Sequence, residues 1–294
     1  MPWYVPVILR IGAAYIAGPL LLKPLVDQYP QAKLLLIQFA VCFAVALPGA
    51  VALNQHHFDW HIVAVGFGNG LAAYCYYKAI ALSLSRTSLF AFWDDLLAMG
   101  LSYGLLHEGQ FLNARIVLGI GVSVGAVILF TVHGAQQQGQ EQAAARLPKR
   151  LYVYAGAYSI LLGGGVFFMR YLGVQGTRLG TFLVNWYGGV VVAALLLVLT
   201  STDPAQVPSR IPRRALPRLF GLSLVALVAM SAAYEAYRLA PQTVVQPLFL
   251  VGEMIAPALI GLYVFAERQA LDRQERLYFV LGLAGGLLVA LSFS

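Results

Sequence analysis

The 294-residue chain is 60% hydrophobic and 11% charged, with a mean hydropathy of +0.75. Soluble domains carry about 25% charged residues, so this composition excludes an ordinary soluble domain and points to a chain embedded in a membrane. The net charge of +7 comes from Lys and Arg that punctuate apolar runs instead of forming a basic face, which argues against nucleic acid as a partner.

A spanning helix needs roughly 20 mostly apolar residues. That rule predicts ten spans, at about 5–22, 34–53, 62–82, 88–106, 114–133, 151–169, 179–200, 217–238, 242–265 and 277–293. The first runs on without a basic n-region or a small-residue cleavage site, so it reads as a membrane helix and not as a cleavable signal. Cys42 and Cys75 fall in apolar runs, where a soft buried side chain is the ordinary reading, and two cysteines make neither a disulfide framework nor a metal ribbon. HHFDWH (56–61) gathers three histidines with Asp59; a polar interfacial loop accounts for it more simply than a metal site. Gly66-Phe-Gly68-Asn-Gly70 lacks the strand context of a dinucleotide fingerprint. Gly121-Val-Ser123-Val-Gly125 lies mid-helix, where a nucleophile elbow cannot form. Both read as small residues for close helix packing. No cofactor and no resident metal is implied.

The polar, Gln-rich stretch 134–150 divides the chain into 1–133 and 151–294. Five spans per half would turn the second half upside down relative to the first. Three matches in the same order relate them: Tyr74–Lys78 with Tyr234–Arg238, the fourteen-residue spacing Asp94–Glu108 with Glu253–Glu267, and VLGIGVSVGAVIL (117–129) with VLGLAGGLLVAL (280–291). An inverted repeat is a mark of secondary transporters, whose binding site lies at mid-depth between the repeats. The expected fold is therefore all-α, ten transmembrane helices as two inverted five-helix repeats around a central cavity.

With its two five-helix halves, a tyrosine-bearing third helix, a fourth helix ending in an acid (LLHEG at 105–109, VFAER at 264–268) and a Gly-rich fifth helix (118–125 and 281–286), the chain resembles the EamA-type transporters of the drug/metabolite transporter superfamily. The resemblance covers essentially the whole chain, though Leu106-His107 and Phe265-Ala266 stand where the family pattern has Leu-Gly. It implies a carrier, not an enzyme, that exports amino acids or other small metabolites. A phosphorylated-metabolite or drug exchanger of the same superfamily is the nearest alternative, and a passive channel or intramembrane enzyme the alternative from another class.

Charges inside a bilayer are expensive and mark function; here they are Arg10, Lys78, Asp94, Asp95, Glu235, Arg238 and Glu253. Asp94, Lys78, Glu253 and Arg238 are the expected polar centre, with Asp95, Tyr74, Tyr234, Phe90, Phe249 and Gln246 around it. Lys78 and Asp94 lie eight residues either side of Arg86, so a straight hairpin would put them at one depth and let Lys78 pair with Asp94 or Asp95. Asp94 and Asp95 point about 100° apart on a helix, which assigns them different faces: Asp94, matched by Glu253, to the pathway, and the unmatched Asp95 to packing or to a bridge with Lys78. Charges of both signs with aromatic rings suit a small zwitterion, an amino acid above all, with protons as a possible coupling ion. Thirteen Lys and Arg fall in odd-numbered connections against four in even-numbered ones. By the positive-inside rule the odd loops are cytoplasmic and both termini of this inner-membrane, multi-pass chain lie outside.

Overall fold

A computed structural model describes residues 2–84, 87, 92–111, 113–123, 125–126, 129, 149–200, 212–265 and 273–291. Ten helices and no strand occur among them: α1 (Tyr4–Val26), α2 (Gln31–Ala52), α3 (Trp60–Leu82), α4 (Phe92–Leu105), α5 (Ala114–Ser123), α6 (Lys149–Val174), α7 (Leu179–Thr200), α8 (Leu216–Leu239), α9 (Gln242–Leu259) and α10 (Arg273–Leu291). Each falls on one predicted span. Most of the polar linker and of the 201–214 connection lies outside the described residues, as do Arg86 and Phe90.

Five of the helices (α1, α2, α6, α7 and α8) are long and apolar enough to cross a membrane. Their outward faces are apolar too: Ile160 is 68% exposed and Leu199 71%. In water such a surface would be a liability; against lipid it is the ordinary outer belt of a membrane protein.

Packing runs mainly between the two halves. Helix α3 packs on α6 and α7, α2 on α7 and α8, α4 on α6 and α9, α1 on α3, α8 and α9, and α6 on α8. Advancing each helix number by five turns α3–α7 into α8–α2, α3–α6 into α8–α1, α4–α6 into α9–α1 and α1–α3 into α6–α8. The pairs α2–α7 and α4–α9 map onto themselves.

Small residues make the crossings close. A Cβ on Gly66 would sit 2.2 Å from the Trp186 carbonyl oxygen, and one on Gly189 2.1 Å from that of Val63, so α3 and α7 meet backbone to backbone. Gly70 joins that contact whereas Gly68 faces open space. At the α5–α10 crossing the Ser123 hydroxyl donates to the Gly282 carbonyl at 3.1 Å, and a Cβ on Gly285 would strike the Gly119 carbonyl. Packing of this kind, driven by close backbone approach, is what membrane helices use in place of a hydrophobic effect.

Candidate functional site

In α1, residues Ile11–Ala17 wind as a π-helix. Pro19 has no amide proton, and its ring crowds the carbonyl four residues back; the Gly18 amide bonds instead to the Ala13 carbonyl, five residues back. In a regular α-helix Arg10 and Tyr15 would point about 140° apart, at 100° per residue. The wider winding brings them onto one side. The Arg10 guanidinium carbon lies 5.3 Å from the Tyr15 ring centroid and 5.9 Å from that of Phe249 on α9, within cation–π range.

Opposite Arg10, on α9, stands Glu253, eleven residues past Gln242 and so about 16 Å from that helix end at 1.5 Å per residue. Asp94 and Asp95 approach from α4. The three carboxylates each place an oxygen within 4.8 Å of the others, and all are buried, Asp94 and Asp95 at 1% exposure and Glu253 at 7%. The Tyr158 hydroxyl on α6 donates to Glu253 Oε1 at 3.0 Å, and its ring stacks on Tyr76 of α3, centroids 4.8 Å apart. A polar chain reaches Asp95 from the other side. Ser102 donates to Gln242 Oε1, the Gln242 amide to Gln246 Oε1 at 3.4 Å, and the Gln246 amide to Asp95 Oδ1. The Tyr237 hydroxyl also donates to Gln246 Oε1, at 2.6 Å. Asp94 Oδ1, Asp95 Oδ2 and the Arg10 Nε are buried without a hydrogen-bond partner. A hard cation or shared protons would satisfy the two aspartate oxygens.

A cavity of about 170 Å³ adjoins this cluster, with Arg10, Tyr15, Tyr76, Tyr158 and Glu253 in its wall. The remaining lining is mainly apolar and comes from α1, α2, α3, α6, α7 and α8. Drug-sized ligands occupy pockets of roughly 300–1,000 Å³, so this one favours a compact solute.

The expected different faces for Asp94 and Asp95 are corrected. Helix α4 is wedged between α6 and α9: a Cβ on Gly163 of α6 would lie 2.7 Å from the Asp94 carbonyl oxygen and 3.1 Å from its Cα. Neighbouring Cβ atoms on a helix are roughly 5 Å apart, so Glu253, facing the gap between them, reaches both carboxylates.

The expected Lys78 pairing is also corrected. Lys78 lines a separate cavity of about 390 Å³ with Asp27, Tyr29 and Arg150 at one end of the bundle, its ammonium 5.5 Å from the Tyr74 ring centroid. Only four residues separate it from the end of α3, and a long ammonium side chain extends towards water where a short aspartate cannot. Arg238 likewise pairs locally, with Glu235 at 2.8 Å, beside Arg178 and Gln55 in a cavity at the opposite end. The Tyr234 hydroxyl donates to the Thr177 carbonyl at 2.7 Å, and its ring stacks on Phe182 at 4.1 Å.

Of the expected residues, then, Asp94, Asp95, Glu253, Gln246 and Phe249 come together. Lys78, Tyr74, Arg238 and Tyr234 lie elsewhere, and Phe90 is outside the described residues. Arg10, Tyr15, Tyr76, Tyr158 and Tyr237 complete the cluster. Arg10 carried a readable signal, a charge within a span; the tyrosines carried none beyond their presence.

No family model and no curated protein matches the sequence. Solved structures do resemble it. One, described as "Crystal structure of protein", is 17% identical with a TM-score of 0.67, over 99% of this chain and 96% of that one. At that identity the likeness establishes the fold alone.

Proposed function

We propose that the protein is a secondary active transporter that moves a small organic metabolite by alternating access, with amino acid efflux as its activity, on the EamA-type plan. One observation carries this reading: a guanidinium, three carboxylates and tyrosine hydroxyls meet at mid-depth beside a small cavity walled by helices of both halves. A zwitterion fits those groups. Arg10 takes the substrate carboxylate, Glu253 the ammonium, and the rings of Tyr15, Tyr76 and Tyr158 the apolar body.

Charge accounting supports protons as the groups that neutralise the cluster. Three ionised carboxylates with one guanidinium leave two negative charges, and buried charges need compensation. A zwitterion brings no net charge, because its carboxylate offsets its ammonium, so two protons on the carboxylates supply that compensation. The packing map that repeats when helix numbers advance by five supports two inverted repeats, with cytoplasmic odd loops and outside termini following from thirteen basic residues against four.

The test is thermal stabilisation of the purified protein by a metabolite panel, then flux of the hits in proteoliposomes. Asp94→Asn and Glu253→Gln are each expected to lower flux at least about tenfold, the effect of roughly 1.4 kcal/mol. Wild-type rates with unchanged pH dependence in both variants would overturn the reading. Stabilisation by phosphorylated compounds and not by zwitterions would replace the substrate class.

A further inference from the structure

The C-terminal ends of α3 and α8 are capped by the same device, one in each half. Helix α3 ends at Leu82, and the extended Ser83 returns its amide to the Ala79 carbonyl. Helix α8 ends at Leu239, and the extended Ala240 returns its amide to the Ala236 carbonyl. Each helix end therefore leaves its last carbonyls without an intrahelical donor, beginning at Ile80 and at Tyr237. A cation from the first helix of the same half takes that carbonyl in each case. Lys23, on α1, donates to Ile80 O at 2.9 Å and Ala81 O at 3.5 Å. Arg170, on α6, donates to Tyr237 O at 2.5 Å.

Both cations are held by an acid. Lys23, itself 7% exposed, pairs with Asp27 at 3.1 Å, and Arg170 with Glu108 at 2.9 Å. Glu108 extends the second latch further, accepting from the amides of Gln242 and Thr243 at the start of α9 at 3.1 and 3.5 Å. Glu108 thus ties the turn after α4 to the start of α9, while its partner Arg170 ties α6 to α8. The latches sit at opposite ends of the helices: Lys23 and Ile80 lie at the odd-loop end, Arg170, Tyr237 and Glu108 at the even-loop end.

We infer that Lys23 and Arg170 are the two gate latches of the carrier, that the conformation with both fastened is its occluded state, and that each must release for its own end to open. The inference rests on the transporter reading for its purpose. Its geometry stands independently, as a matched pair of interhelical caps between the first and third helices of each half. Charge-assisted bonds to a helix C-terminus favour the closed end. Removing one latch lowers the energy of opening that end and leaves the other fastened, so the two removals have opposite consequences.

The experiment uses the full chain with Cys42→Ala and Cys75→Ala and a reporter Ala73→Cys in the central cavity, reconstituted in vesicles. A membrane-impermeant, cationic methanethiosulfonate is added to one side or the other. Lys23→Met is expected to raise labelling from the odd-loop side at least about fivefold, and Arg170→Met from the even-loop side. Asp27→Asn and Glu108→Gln, which keep the cation and remove its acid, are expected to shift labelling in the same respective directions by less; they decide the matter if either methionine variant fails to fold. Equal labelling of variants and parent, or an increase on the same side for both latches, would overturn the inference. Side-specific labelling without metabolite flux would leave the latches standing and remove the transport reading; flux without side-specific labelling would do the reverse.

Discussion

The charges at the middle of the bundle and those at its ends obey different rules. Lys78 and Arg238, near helix ends, settle among local partners in separate cavities, Arg238 with Glu235 three residues earlier on its own helix. Arg10, Asp94, Asp95 and Glu253 converge from three helices on one buried cluster. A charge that can reach water or headgroups needs no distant partner, whereas one at mid-depth does. Depth, more than charge type, therefore sorts site residues from rim residues in this chain.

Removing the cation of the central cluster is the most severe way to break that contrast. Arg10→Met leaves three buried acids without their guanidinium, and loss of one partner of a buried ion group costs about 3–5 kcal/mol; a large fall in melting temperature in detergent is expected, and an unchanged one would show that Arg10 does not hold the cluster together. Gly163→Val forces α4 off α6, because the added carbon would meet Asp94 backbone. Overpacking of this kind costs about 1–3 kcal/mol, so melting temperature and ligand-induced stabilisation should both drop, with Gly163→Ala showing a smaller version. Tyr158→Phe removes the hydroxyl bonded to Glu253; hydrogen bonds to charged groups contribute about 1.5–3 kcal/mol, and a several-fold change in flux with its pH profile displaced is the expected result. At the rim, Lys78→Gln and Arg238→Gln should stay within about 0.5 kcal/mol of the parent and within about twofold in flux. A tenfold loss in either would erase the distinction between middle and rim.

The helices were legible because their cause is local. Twenty apolar residues bounded by Pro, Gly or charge make a span whatever surrounds them, which is why Leu179–Thr200 coincides with its predicted range and the others overlap theirs. Asp94 and Glu253 were legible for a related reason: an acid within a span must have a use. Their partners were not. Pairing Lys78 with Asp94 assumed two straight arms about Arg86, yet α3 stops at Leu82 and Ser83 is extended. Separating Asp94 from Asp95 assumed a helix with one functional face, yet α4 has protein on two sides. Arg10 was visible as a charge in a span, but its place depends on a π-turn beside Pro19, and nothing in the composition announces π-winding.

By itself the sequence determined that this is a helical membrane chain, where its ten helices run, and which acids it buries at mid-depth, since those follow from the cost of placing polar groups in hydrocarbon. Only the tertiary structure decided which cation answers those acids, that Asp94 and Asp95 face the same cluster, and that Lys23 and Arg170 fasten the ends of α3 and α8. Those outcomes depend on which helices touch. In this bundle the closest touches are set by absent side chains, as at Gly163, Gly66 and Gly189, and a glycine does not name the helix that will press against it.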